Sequence, residues 1–347
     1  MSDILSTAGK PEVVAGIIVL ALNAYVLMGG ADYGGGVWDL FASGPRRDAQ
    51  RELIANTIAP IWEANHVWLI VVVVMLFTGF PAAFATVGIV MHVPLTLMLL
   101  GIVLRGSSFV FRSYGSQTGP SRRWWGTTFA IASVITPVLL GDVIGAITSG
   151  AVGFASNRIS TASFASVYIE PWLAAFPLSV GAFALALFAF LAAVYLAHAA
   201  HDAELQEDFR KRALVMASAV LVTATVAMLL SSSAAPRVME GVMFSGWGIL
   251  IHVATGTSAV TAIVMLWKRN YAIARYAAAA QVSCIVWGWA FSQYPYVIPT
   301  TLTIHDSAAP EITLDLLLTG LGVGALVLIP SLWYLFRTFT ARRRLTR

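Results

Sequence analysis

Cysteine is almost missing from this chain: Cys284 is the single example among 347 residues. That excludes a disulfide framework, a zinc cluster and the CxxCH attachment of a c-type haem. Charge is scarce too, with Asp, Glu, Lys and Arg at 11% of residues against about 25% in soluble domains. What is left is 58% hydrophobic with a mean hydropathy of +0.79, the composition of an integral membrane protein. Residues Met1–Glu12 lack the basic opening of a secretory signal, and the apolar run after them lacks a small-residue cleavage site. That run is expected to stay in place as a first transmembrane helix.

The balance of charge is basic, with a net +4 and a pI near 9.3. In a chain this apolar, such a balance reflects arginines gathered in cytoplasmic loops, so no nucleic-acid partner is expected. Crossing the hydrocarbon core takes about 20 apolar residues. Runs of that kind fall near 13–40, 57–80, 83–108, 126–148, 171–198, 213–232, 246–267, 271–292 and 312–337, about nine spans of an all-α protein. Alternate loops hold eighteen of the 21 basic residues, and the opposite set holds only Lys10, Arg158 and Arg237. The N-terminus is therefore expected outside and the C-terminus in the cytoplasm. Residues 1–347 read as one membrane domain, with a first bundle over about 13–148, a second over about 171–292 and a last helix over about 312–337. The basic clusters read as topology signals and lipid-headgroup contacts.

Ionisable groups inside a bilayer are costly and by default functional or paired. Five acids lie in or beside the spans: Asp32, Asp39, Glu63, Asp142 and Asp315. Asp39 and Asp315 fall near helix ends, where water solvates a carboxylate cheaply. Asp32 and Glu63 lie toward the cytoplasmic half of adjacent spans and are candidates for a proton path; the competing reading makes each a structural lock. The densest polar stretch is Asn56–Ile70, where helical spacing sets Glu63 beside His66 and groups Trp62, Asn65, His66 and Trp68 into a stripe fit for structural contacts or for one side of a quinone. Arg105, at the end of the third span, is a candidate to snorkel or to serve as a counter-charge. A b-type haem would need facing histidines; the intramembrane ones are His66, His92 and His252, and His66, early in its span, matches poorly in depth with His92, expected near the middle of the next. No metal site is expected in this chain.

These residues resemble subunit II of the cytochrome bd family of quinol oxidases, and the likeness runs nearly end to end. The family motif Asp-Gly-Phe-Asp-x-Gly-x-Gly is matched by Gly29-Gly30-Ala31-Asp32-Tyr33-Gly34-Gly35-Gly36. A second motif, Asn-x-Ile-x-Pro-x-Trp-Asp-x-Asn-x-Val-Trp-Leu, is matched by Asn56 to Leu69. Phe80–Ala85, Gly101–Gly106, Gly141 with Gly145, Tyr294–Pro299 and Pro330–Tyr334 continue the likeness. Three positions depart from it: Gly29 stands where the family has its first aspartate, Glu63 replaces an aspartate, and His66 sits where other members carry Gln or Glu.

The resemblance implies nine helices in two four-helix bundles plus one peripheral helix. It implies a haem-free accessory subunit in a bacterial plasma membrane, paired with a haem-bearing subunit I. That partner would hold the b and d haems and the quinol site and would reduce dioxygen to water, giving the complex the activity of a quinol:oxygen oxidoreductase in aerobic respiration. The acids of the two motifs would serve proton delivery, and some members hold a structural quinone in this subunit. The rival readings from the residues are a stand-alone membrane b-type cytochrome and a proton-coupled secondary transporter, the latter marked by acids beside broken helices.

Overall fold

The computed structural model describes the backbone of residues 9–58, 62–114 and 120–345, with side chains described there except at 58–64, 112–123, 332–333 and 335–345. The chain is helical almost throughout. Its long helices are α1 (Lys10–Leu40), α3 (Trp62–Gly79), α5 (His92–Tyr114), α6 (Pro120–Thr148), α10 (Ala175–Ala199), α11 (Ala203–Ala234), α13 (Gly246–Trp267), α14 (Tyr271–Gln293) and α16 (Glu311–Leu345). Short helices join them: α2 (Arg47–Ile58), α4 (Pro81–Val90), α7 (Ala151–Ser156), α8 (Phe164–Tyr168), α9 (Glu170–Leu173), α12 (Pro236–Met243) and α15 (Ile304–Ser307).

Helix α10 is the axis of the molecule. Every residue from Ala186 to Val194 is buried, which is what a helix apolar on all sides requires. One cluster of buried side chains runs from Tyr25, Tyr33 and Trp38 on α1, through Phe188 and Leu191 on α10, to Val282 and Val286 on α14. The two expected bundles therefore share a core. The approach of α1 to its neighbours depends on the glycines around Asp32. A β-carbon at Gly34 would strike the backbone carbonyl of Phe188 on α10, and one at Gly36 would strike Ser133 on α6. Lipid tails are as apolar as the helices, so close backbone packing of this kind supplies much of the association energy in a membrane.

Among the described residues, seven helices are long and apolar enough to cross a membrane, and α3 with α4 makes an eighth if that bent pair is one span. The expected nine runs are altered at two places. The 116° bend between α3, which ends at Gly79, and α4 falls between the runs expected over 57–80 and 83–108; inside 83–108 the helix is interrupted at Met91, and α5 begins anew at His92. A proline accompanies each of the two changes of course. Pro81 forces Phe80 out of the helical region (φ −135°, ψ 63°), and the ring of Pro94 would clash with the carbonyl four residues back, at Val90, if the helix continued. The second change is α14, which fills the expected 271–292 as a helix yet carries Arg275, Gln281 and Ser292 and is not among the seven.

Helix α16 touches α1 and α3 near its start and is otherwise exposed, with Ile312, Leu316, Val323 and Leu326 facing outward. The segment between α14 and α16 is ordered by a two-stranded antiparallel hairpin, β1 (Tyr296–Ile298) with β2 (Leu302–Thr303). A reciprocal cap follows, in which Thr303 Oγ accepts from the Asp306 amide at 3.1 Å and donates to its carboxylate at 2.6 Å.

Candidate functional site

Three helices meet at one buried ion pair. Asp32 lies in the glycine-rich half of α1, Arg105 lies well inside α5, and Ser133 faces both from α6. Arg105 Nη1 donates to Asp32 Oδ2 at 3.1 Å, and Nη2 donates to Oδ1 at 2.9 Å and to the Asp32 backbone carbonyl at 3.0 Å. Nε donates to the Ser133 hydroxyl at 3.1 Å, which in turn donates to the Phe129 carbonyl at 2.7 Å. The guanidinium thus makes four hydrogen bonds from its five N–H groups. Its faces are covered as well, by the rings of Tyr33 at 4.7 Å and Phe129 at 5.0 Å.

Both side chains of the pair are 2–3% exposed. Arg105 therefore neither snorkels nor ends a span; it points inward from the middle of α5. Removing one member of such a pair costs about 3–5 kcal/mol, because the other is left charged and unpaired in a dry interior. The paired carboxylate is held bidentately, a geometry that fixes the helices more than it frees a proton.

Around the pair lies a polar shell on α1 and α3. The hydroxyls of Tyr25 and Tyr33 are 3.4 Å apart, and the His66 ring lies 6.1 Å from each of the two tyrosine rings. Asn65 is buried and donates to the Met28 carbonyl at 3.4 Å, tying α3 to α1. Trp68 packs against the main core from the same helix. The side chains of Trp62 and Glu63 lie outside the described residues, and with them the expected meeting of Glu63 with Asp32. Of the sequence candidates, Asp32, Asn65, His66, Trp68 and Arg105 come together in one region.

The remaining acids sort by their surroundings. Asp39 is buried at the end of α1 with Arg51 at 3.7 Å, and Asp315 is half-exposed against Lys10 at 2.8 Å. Asp142 on α6 is 1% exposed beside Gly181 of α10, and its Oδ1 has no hydrogen-bond partner.

The histidines do not assemble a haem site. His92 is not mid-span as expected; it opens α5, is exposed, and its Nδ1 sits 2.9 Å from the Ile89 carbonyl. His66 is near the opposite end of α3, some thirteen residues from the break, or about 20 Å at the helical rise. His252 lies on an exposed face of α13. Among the described residues no group of three or more His, Cys, Asp or Glu is placed to hold a metal ion.

Sequence reasoning missed a second network. Arg46 chelates Asp208 at 2.9 and 2.7 Å and reaches Glu204 at 2.8 Å, while Gln50 donates to Asp208 at 2.9 Å and accepts from Arg212 at 2.8 Å. Arg212 also stacks over Trp38 and Phe209. These arginines, expected to act as topology signals and headgroup contacts, clamp the α1–α2 connection onto the start of α11. The signal available was acidic: Glu204, Glu207 and Asp208 interrupt a loop otherwise marked by its basic residues.

A polytopic helical membrane subunit, organised around a buried Arg–Asp pair and without an assembled cofactor-ligand set among its described residues, is the class that fold and site define. Within that class the chain belongs to the cytochrome bd terminal oxidase subunit II family, whose family model matches residues 10–339. It is similar to the putative cytochrome bd menaquinol oxidase subunit II of Bacillus subtilis (strain 168), 24% identical over 332 residues that make up 93% of each chain. Cytochrome bd-I ubiquinol oxidase subunit 2 of Escherichia coli (strain K12) is 30% identical over 135 residues, 39% of this chain and 35% of that one. A chain of the solved bd oxidase from Geobacillus thermodenitrificans shares the fold with a TM-score of 0.78 at 22% identity, over 95% of this chain and 98% of that one. The chain is accordingly a multi-pass membrane protein and a subunit of a terminal oxidase, an oxidoreductase complex.

The departure at Gly29 has a structural counterpart. A β-carbon there would lie 2.8 Å from the Tyr25 ring, which is buried and hydroxyl-bonded to Tyr33. The ring of Tyr25 fills the room that an acid at this position would need. Gly29→Asp alone is expected to lower the yield of assembled complex several-fold, and Gly29→Asp with Tyr25→Ala to recover most of it. Yield by size-exclusion chromatography checks this, and an unharmed Gly29→Asp protein would contradict it.

Proposed function

We propose that this chain is the haem-free accessory subunit of a bd-type quinol:oxygen oxidoreductase in a bacterial plasma membrane, paired with a subunit I that carries the b and d haems and the quinol site. The observation that carries this reading is the family match across nearly the whole chain, in a protein whose histidines are scattered to different ends and faces of the bundle. The chain's own residues then have two roles. Arg105, Asp32 and Ser133 hold α1, α5 and α6 at fixed spacing, giving the partner a rigid surface. The apolar outer faces of α11, α13 and α16 meet lipid or that partner.

Proton delivery falls to Glu63 rather than Asp32 in this reading. Asp32 has its carboxylate oxygens taken up by Arg105, whereas Glu63 stands three residues before His66 in the sequence of the polar stretch that opens α3. A titratable carboxyl at that end would pass protons inward along hydroxyl and imidazole groups. A structural quinone, which the resemblance implies for some members, has the Asn65, His66 and Trp68 stripe of α3 as its candidate side in this reading.

Two measurements test the reading. When the subunits of the purified complex are separated, the haem band of a reduced-minus-oxidised spectrum is expected to follow the partner, and a stoichiometric band on this chain would overturn the assignment. Glu63→Gln is expected to slow oxygen consumption several-fold at unchanged haem per complex. Unchanged turnover would leave Glu63 a structural residue.

A further inference from the structure

A cavity lined by none of the ion-pair residues lies elsewhere in the molecule. It measures about 770 Å³ and lies where α12, the start of α13 and the end of α14 meet the β1–β2 hairpin. That is within the range of sites that hold small molecules. Its lining combines one buried amide without partners, Gln293, with two exposed charged side chains at its rim, Arg237 and Glu240. Gln293 is 8% exposed, and neither its amide nitrogen nor its carbonyl oxygen has a hydrogen-bond partner. Arg237 is stacked 4.6 Å over the Tyr296 ring and makes no ion pair among the described residues. Glu240, one helical turn further along α12, also lines the cavity, and it too has no cation within salt-bridge distance there.

A guanidinium and a carboxylate one turn apart that do not pair with each other present opposite charges to the same space. A buried amide without partners asks for both a donor and an acceptor, since leaving either unmet is unfavourable. The hydroxyls of Thr148, Ser245 and Ser292 in the wall are spent on backbone carbonyls, and Trp247 and Phe291 add an aromatic surface in edge contact at 5.7 Å. Leu250 links the cavity to an outward face of α13 that continues through Val253, both more than 60% exposed. The required occupant has a compact head with one anionic and one cationic group, hydrogen-bond donors and acceptors, and a long apolar tail that leaves along α13.

We infer that this cavity is a specific site for a zwitterionic aminophospholipid, with the phosphodiester on Arg237 and the ammonium on Glu240 and the Gln293 carbonyl. Arginine suits the phosphodiester because its planar fork bonds two oxygens at once, and the Tyr296 ring beneath it holds that fork in place. Phosphatidylglycerol carries the same phosphodiester but a neutral glycerol in place of the ammonium, so it would leave Glu240 without a counter-charge. A free phosphate would satisfy Arg237 and leave Gln293 and the apolar walls unfilled. The site is independent of the Asp32 region and of any proton path.

Intact-mass spectrometry of the whole complex through graded delipidation tests the assignment, with subunit stoichiometry as the check on assembly. The wild-type complex is expected to retain one phosphatidylethanolamine after bulk lipid is gone. Retention is expected to fall about tenfold in Arg237→Gln and in Gln293→Leu, the loss of one charged or buried hydrogen bond. Reloading the stripped wild-type complex with phosphatidylglycerol is expected to fail where phosphatidylethanolamine succeeds, and Glu240→Gln to remove that preference. Excess inorganic phosphate is expected not to displace the lipid. Equal retention in the variants, equal uptake of phosphatidylglycerol by wild type, displacement by phosphate, or a quinone in place of the phospholipid would each overturn the proposal.

Discussion

A guanidinium and a carboxylate enclosed together in a membrane protein constrain everything around them, because neither tolerates solvent-free burial without the other. Arg105 and Asp32 meet this condition in full: two oxygens, a backbone carbonyl, a serine hydroxyl and two aromatic faces surround the cation. The geometry admits only one spacing of α1, α5 and α6. The glycines on either side of Asp32 follow from that spacing, since Gly34 and Gly36 let α1 close onto α10 and α6 without a side chain between. Charge pairing and backbone packing are two views of one arrangement.

That arrangement divides labour among the polar residues. The Asp32 carboxylate is committed to Arg105, and the tyrosine pair and His66 lie around that ion pair. The aromatic groups do more than fill space. Tyr25 occupies the room beside Gly29 and bonds Tyr33, whose ring backs the guanidinium. Where the family motif has an acid, this chain has Gly29 with the Tyr25 ring packed against it.

Much of this was legible in the sequence, for a physical reason. Long apolar runs separated by basic loops have one solution in water and lipid, so the helices and their approximate limits could be read directly, as could the cost of Asp32 and Arg105 within them. The partner of each was not legible, since residues 73 positions apart declare no contact. Arg105 read as the end of the third span, there to snorkel or to serve as a counter-charge, because hydropathy falls after Leu104; the helix runs on to Tyr114 and the charge faces inward. The interruption at Met91 was masked by the apolar residues around Pro94. The Arg46–Asp208 clamp was hidden because positive charge near a membrane edge already had an explanation, and distance in sequence concealed its acid. The Asn56–Ile70 stretch was read as polar and functional, and its neighbours Tyr25 and Tyr33 came from another helix altogether.

The central claim is that the Arg105–Asp32 pair holds the helices as one unit, so that each residue is worth having only with the other. A double-mutant cycle on thermal unfolding and assembled yield of the complex measures that coupling directly. Arg105→Gln and Asp32→Asn should each destabilise by about 3–5 kcal/mol, with the double substitution no worse than the more damaging single one. Losses that simply add, or an Arg105→Gln complex as stable as wild type, would contradict the account.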